Sequence, residues 1–510
     1  MPDTSSSTAE HLDVLIVGAG ISGIDAAYHL QKRLPGKSYL ILEGRDRIGG
    51  TWDLFRYPGI RSDSDMYTLG FPFRPWTGEK AIVDGASIRD YVEETARHFG
   101  IDAHIRFGHR VTRASWSSAQ ARWALEVEAD GAVRRFTCGF LFLCSGYYDY
   151  ARGYRPEWPD EELYRGRFVH PQHWPEDFDH AGKRIVVIGS GATAVTLVPA
   201  LAETAAHVTM VQRSPSYIVS RPSRDGIARA LQRRLPLGLA DKATRWKNVL
   251  LGMLFFSRSR KKPDRVRKLL LKLVTEQLPA GYDVERDFSP SYNPWDQRVC
   301  LVPDGDLFQA INAGTVSVVT DRIERFTEKG IRLASGAELE AEAVVTATGL
   351  VVKLFGGIAL EVDGERASVG DRVCYKGMML NDVPNLALSF GYTNASWTLK
   401  CDLTSRYVCR LLNHMDRQGL AVCVPRLPEA GVERRPMLDF SSGYLVRAGA
   451  GLPSQGTQAP WRVPQNYFRD LLTLGFGSVT DAAMTFRKAC PEQAEGPVDS
   501  GAPARHLTLT

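Results

Sequence analysis

Three glycines, Gly18, Gly20 and Gly23, fall between an apolar run, LDVLIV, and a helical pattern, IDAAYHLQKRL. A strand that feeds such a turn leaves free N–H groups at the start of the next helix, where the dipole favours a pyrophosphate. Gly18 permits the tight turn, Gly20 lets the backbone approach the phosphates, and Gly23 lets the helix pack closely on the strand. Glu43 ends the following run, SYLILE, about 20 residues on, where an acid accepts the hydroxyls of a ribose. Strand, glycines, helix and acid agree, so a turn without a ligand is the poorer reading.

The same unit returns in RIVVIGSGATA, with Gly189, Gly191 and Ala194 at the three motif positions. Its next strand, HVTMVQRSP, ends in Gln212-Arg213-Ser214 and carries no acid. A carboxylate there would repel a 2′-phosphate, whereas Arg213 attracts one and Ser214 can donate a hydrogen bond to it. The second unit is therefore read as an NADPH site. An acid in the first unit and an arginine in the second imply FAD plus NADPH.

Between and around these units lie two segments with no clear period. In IGGTWDLFRYPGIRSDSD, Gly49, Gly50, Trp52, Tyr57, Pro58, Gly59 and Asp63 fit GGxWxxxxYPGxxxD. In YRGRFVHPQHWP, Gly166, His170, Trp174 and Pro175 fit FxGxxxHxxxWP, with Tyr164 in place of the first Phe. On their residues alone these are a Pro-Gly turn with an acid and a stiff, jointed connector. Together they resemble the fingerprints of Baeyer–Villiger monooxygenases, the class B flavoprotein monooxygenases. The Trp-Pro ending sets them apart from the related flavin-containing N- and S-oxygenating enzymes. The resemblance implies that Gly50, Thr51, Trp52, Asp63 and Tyr67, with Thr193 of the second motif, contact cofactor. It also implies that Gly166, His170 and Trp174 couple the two domains structurally rather than by acid–base chemistry.

The stretch YNPWDQRVCLVPDGDLF, residues 292–308, is similar to the corresponding text of the subgroup typified by the mycobacterial ethionamide-activating monooxygenase. On spacing alone Arg298 is a surface arginine; the resemblance makes it the active-site cation, with Asp63 holding it. Such a cation keeps a flavin C4a-peroxide deprotonated and stabilises the anionic adduct it forms with a ketone. Arginine suits the task because it does not give up its proton. The implied activity is FAD-containing, NADPH- and O2-dependent conversion of ketones to esters or lactones, with sulfides or thioamides oxygenated by the same oxidant. FGYTNASWTLKCDL is similar to the same subgroup, and Asn394, Ser396 and Trp397 are candidate pocket residues. The alternatives are an N- or S-oxygenating flavin monooxygenase and a non-enzymatic FAD- and NADPH-binding redox sensor.

The elements that must position these groups alternate strand and helix, which predicts an α/β fold of two Rossmann-like domains. At 510 residues the chain is too long for one simple core. The expected division is an FAD-binding domain over 11–150 and 373–490, with an NADPH-binding domain over 151–218 and 319–372. A helical insertion over 219–318 interrupts the latter, and polar tails at 1–10 and 491–510 are expected to be disordered. The insertion is strongly basic between Arg258 and Lys272. A solvated helix face is the preferred reading there; the sharper one is weak contact with an anionic membrane surface or a phosphorylated cosubstrate. A net charge of +5 is mild for this length, and no nucleic-acid-binding pattern appears. The scattered cysteines make no CxxC pair, which argues against a dithiol reductase or a metal centre and fits a cytoplasmic protein. No apolar run approaches the roughly 18–20 residues that span a bilayer.

Overall fold

The run Val14–Val17 is apolar on both faces, as a strand covered on both sides must be. In a computed structural model, which describes residues 9–438 and 442–489, it lies in the strand Glu10–Val17, third from one edge of a nine-stranded sheet. Parallel strands Tyr39–Leu42 and Ala132–Leu143 flank it. The return strand Leu386–Leu388 also pairs in parallel with Leu141–Leu143. Helices Ile21–Arg33 and Trp397–Gln418 pack together over one face, so distant parts of the chain build one FAD-type domain.

A second sheet is wholly parallel, in the order Val316–Thr320, His207–Gln212, Arg184–Ile188, Ala343–Thr346, Arg167–Val169. Its outer member comes from YRGRFVHPQHWP, which reads as neither helix nor strand. Three residues are too few to display a period, and their pairing with Ala343–Val345 decides their conformation. The architecture is α/β with two Rossmann-like units.

Two expected boundaries move. Strand Cys300–Pro303 and helix Asp306–Asn312 place Val302, Leu307 and Phe308 in the core around Val195, so 300–318 belongs to the second domain rather than to the insertion. Strand Ala359–Val362 pairs with Arg113–Trp116 of the first sheet, so 359–372 leaves the second domain. Composition cannot show either change, because pairing across the sheet decides it. Of the expected tails, 1–8 and 491–510 lie outside the described residues, while Glu10 already opens the first strand. The seven described cysteines are all free and buried. Among the described residues no helix is long and apolar enough to cross a membrane.

Where the two long helices of the first domain meet, Asp25 is fully buried. Ser405 Oγ donates to its Oδ2 at 2.7 Å. Its Oδ1 accepts no hydrogen bond among the described residues and lies 3.9 Å from His29 Nε2, which is 2.8 Å from Asp402. Burial pushes the Asp25 carboxyl up to about 7, against the opposing pull of His29. A carboxyl that holds its proton more tightly when folded stabilises the fold fully below its unfolded pKa of about 4. That contribution is lost as pH rises through about 7. Thermal melts of the parent should therefore fall between pH 5 and pH 8 by more than those of Asp25→Asn. Equal slopes would rule out this carboxyl as the source.

Candidate functional site

The first glycine turn opens onto a cavity of about 620 Å3. Gly18 has φ +104°, and a Cβ there would lie 2.7 Å from the Cys144 carbonyl oxygen. Gly189 of the second motif repeats the arrangement against the Ala347 carbonyl. Neither following helix has a side-chain cap, so the first N–H groups of both stay open to a phosphate. Gly18, Gly20, Glu43, Gly50, Thr51 and Trp52 all line the cavity. The Glu43 carboxylate accepts the Ala19 N–H at 2.7 Å and the Arg45 N–H at 2.9 Å, which fixes its orientation. Each of its oxygens keeps lone-pair capacity for a ribose hydroxyl. Gly23 sits behind the turn, packed on the Gly18 carbonyl.

The segment Tyr57–Asp63 crosses to the second domain. Gly59, at φ +78°, presses so close that a Cβ would lie 2.3 Å from the Thr196 carbonyl oxygen of helix Ala192–Ala202. The Tyr57 hydroxyl is 3.3 Å from Thr196 Oγ1, and Arg61 pairs with Asp306 at 2.6 Å. Asp63, at the end of this crossing, meets Arg298, with Oδ2 3.4 Å from the guanidinium Nε.

Arg298 is brought there by a loop pinned to the helical insertion: Arg260 pairs with Asp296, and Trp295 meets the ring of Phe256 edge-on. It directly precedes Val299 and the strand Cys300–Pro303. With 41% of its side chain accessible, Arg298 presents its charge to the cavity it lines. Burial within the protein disfavours that charge, yet Asp63 holds the guanidinium above its ordinary value, so it stays cationic.

Tyr147, Tyr148 and Tyr444 share this cavity. The hydroxyls of Tyr147 and Tyr148 are hydrogen-bonded to each other. The Tyr147 ring stacks on Trp397, with centroids 5.2 Å apart. Burial pushes all three hydroxyls upward, against the pull of Arg298, so they are protonated donors and not bases. These tyrosines escape a reading of sequence because each alone looks like core. For Tyr147 and Tyr148 the usable signal is YYDY, shortly after the carboxyl end of strand Ala132–Leu143, where open α/β sheets bind ligands. Trp397, whose Nε1 donates to Ser22 Oγ at 2.9 Å, also faces the cavity. Asn394 and Ser396 do not: they bond instead to Gln465 and Thr68.

Tyr67 likewise lies apart from the cavity. It is buried with Ala81 and Ala228, and its carbonyl accepts Arg245 Nη1 at 2.9 Å, because its helix serves to anchor the insertion. In the second domain Thr193 lines the cavity, while Gly191 and Ala194 lie at the start of the uncapped helix. Arg213 and Ser214 are exposed just beyond strand His207–Gln212. Arg213 makes no ion pair among the described residues, and the Ser214 carbonyl accepts from Ser190 Oγ at 3.0 Å.

The connector joins the halves through its backbone and His170. The ring of His170 covers Gly153, where a Cβ would fall within 1.9 Å of it, and its Nδ1 accepts the Gln172 N–H. Burial lowers its pKa, leaving the ring neutral. Gln172 Nε2 donates to the Asp149 carbonyl at 2.7 Å, tying the turn to the strand Tyr148–Gly153. Gly166 lies against Glu342, and Trp174 packs edge-on to Phe178.

Two dinucleotide cradles meeting at a cavity that holds a carboxylate-anchored guanidinium define a two-dinucleotide oxidoreductase. The flavin-binding monooxygenase-like family matches residues 70–357, and an NAD(P)-binding Rossmann-like domain matches 16–77. The FAD-containing monooxygenase EthA of Mycobacterium tuberculosis is 58% identical over 480 residues, covering 94% of this chain and 98% of that protein. The probable FAD-binding monooxygenase AlmA of Acinetobacter baylyi is 47% identical, covering 94% and 97%. Among solved structures, an oxidized steroid monooxygenase bound to NADP aligns with a TM-score of 0.74 at 21% identity, over 94% of this chain and all of that one. Cyclohexanone monooxygenase from Rhodococcus sp. Phi1, bound to NADP+, gives 0.71 at 19%, with the same coverage. The two structures show the shared fold. The chain belongs to the flavin-binding monooxygenase-like family and is a flavin-dependent monooxygenase.

Proposed function

We propose that the protein is an FAD-containing, NADPH- and O2-dependent Baeyer–Villiger monooxygenase that converts ketones to esters or lactones and also oxygenates sulfides or thioamides. The observation that carries this reading is Arg298, held 3.4 Å from Asp63 in the same cavity as Gly18, Gly20 and Glu43. The residues fit a flavin dinucleotide: the uncapped helix start would hold its pyrophosphate, and the oriented Glu43 would accept its ribose hydroxyls. Reduced flavin bound there supplies the electrons that activate dioxygen.

The chain's own groups do the rest. Arg298 places a permanent positive charge where negative charge develops on the reacting oxygens. Asp63 fixes its direction. Tyr147, Trp397 and Phe390 form an aromatic cluster in the wall of the cavity that Arg298 also lines. The protonated hydroxyls of Tyr147 and Tyr148 can donate but cannot take a proton from substrate.

Arg213 supports the choice of NADPH. Arg213→Ala should raise KM for NADPH about 10- to 100-fold, the value of a hydrogen bond to a charged group. KM for NADH and kcat should stay close to the parent. An unchanged NADPH-to-NADH ratio would remove Arg213 from the site. The reaction itself is tested by NADPH consumption in air with a linear or an aryl ketone, products identified by mass spectrometry. An ester one oxygen heavier than the ketone supports the reading. Oxygenated sulfide or amine with no ester favours an N- or S-oxygenating enzyme. NADPH oxidation yielding only hydrogen peroxide, with every such compound untouched, overturns it.

A further inference from the structure

The helix Leu237–Lys261 of the insertion leaves large apolar side chains on its outer face. The side it packs on the protein mixes Ala240, Val249 and Met253 with polar groups. Arg245 Nη1 donates to the carbonyls of Tyr67 and Gly70, Asn248 donates to Asp65, and Asp241 and Thr244 are buried. The opposite side carries Leu239, Ala243, Trp246, Leu250 and Leu254, spaced three or four residues apart and so aligned on one face. Leu239 is 56%, Trp246 39%, Leu250 49% and Leu254 46% exposed. Trp246 stacks on Phe468 at 5.7 Å, and near this second segment Leu472 and Phe476 are still more exposed.

At the end of this helix the charge changes. Arg258, Lys261, Lys262, Arg265 and Lys268 are all exposed, and none pairs with an acid among the described residues. A monomer seldom leaves so much contiguous apolar surface in water without a partner for it. An apolar stripe continued by unpaired cations fits one partner chemistry, an anionic lipid surface. Leucine and tryptophan side chains enter the headgroup boundary while lysine and arginine meet the lipid phosphates. A free phosphorylated molecule would use the cations but leave the apolar stripe without a partner.

We propose that the protein docks on anionic membrane surfaces through the outer face of helix Leu237–Lys261, its Phe468–Phe476 neighbour and the basic run that follows. The helix lies in the plane of the membrane and does not cross it. Its inner side, through Val249 and Met253, packs on Tyr392, which lines the cavity. One helix diameter, about 10 Å, then separates the lipid from the cavity wall. The inference is independent of the oxygenated substrate.

The test is flotation of the full-length, FAD-loaded protein with vesicles of phosphatidylcholine alone or with phosphatidylglycerol added. The parent should float with the anionic vesicles, much less with the neutral ones, and be released by high salt. Leu250→Glu should abolish flotation. Lys261→Glu with Lys262→Glu should weaken it roughly tenfold or more, because each basic residue is lost and reversed. NADPH oxidation in air should be unchanged in both, showing that they fold. The proposal is overturned if the parent stays with neither vesicle, or if Leu250→Glu floats as well as the parent. It is also overturned if light scattering shows an oligomer that Leu250→Glu splits, which would make this face a contact between copies of the chain.

Discussion

Arg298→Ala is expected to lower ketone oxygenation by at least 10²- to 10³-fold, the loss seen when one preorganised charge or donor is removed from a developing anion. Anaerobic bleaching of the flavin by NADPH should continue, because the proposed task of Arg298 is to stabilise the oxygen anion and not to transfer hydride. In air the variant should still consume NADPH, with hydrogen peroxide as product. Stopped-flow reduction and ester yield separate the two effects. Arg298→Lys is the sharper test. It keeps the charge but loses the planar guanidinium whose Nε faces Asp63, so partial activity is expected. Normal ester yield from Arg298→Ala would remove the arginine from the mechanism. Loss of flavin reduction as well would show that the residue supports the fold or the nucleotide instead.

The second large effect concerns stability. Lys400 and Asp470 are each about 1% exposed and lie 3.1 Å apart. Asp470 also accepts the Tyr392 hydroxyl at 2.6 Å. Lys400→Met leaves a buried carboxylate with one neutral donor, a loss of about 3–5 kcal/mol. The variant should melt well below the parent and lose FAD more readily, since Tyr392 lines the cavity. Adding Asp470→Asn removes the stranded charge while keeping an acceptor for Tyr392, so the double variant should recover much of the loss. If the double variant is no more stable than Lys400→Met, charge is not the cause and lost packing is.

Both nucleotide cradles were legible from the text because their requirements are local. A turn at φ +104° and a neighbouring carbonyl that a Cβ would meet at 2.7 Å select glycine at Gly18, and the uncapped helix start follows within a few positions. Glu43 and Arg213 follow from the same unit, each at the end of its next strand. Arg298 is a different case. Nothing near it in NPWDQR distinguishes it from a surface arginine, and only resemblance singled it out. Its partner Asp63 is 235 positions away, and the loop that aims it is held by Arg260 and Phe256 of the insertion.

Tyr67 shows the limit from the other side. A tyrosine four residues after the fingerprint acid Asp63 has the right type and neighbourhood. The chain bends at Asp65, which caps the helix Met66–Leu69. That turns Tyr67 toward Ala81 and Ala228 and away from the cavity. Tyr147, Tyr148 and Tyr444 are the reverse: core-like in text, gathered around Arg298 in space. Helix Leu237–Lys261 belongs with them, because apolar residues spread around a helix do not say which side the protein covers.

The amino-acid sequence by itself determined the two dinucleotide units and the α/β class. These depend on backbone geometry and hydrophobic period over spans of some thirty residues. Tertiary structure alone decided which strand closes each sheet, which tyrosines face the cavity and which face of the insertion is left to solvent. Those outcomes depend on pairing and packing between segments far apart in the chain, and no local pattern encodes which partner a buried surface will find.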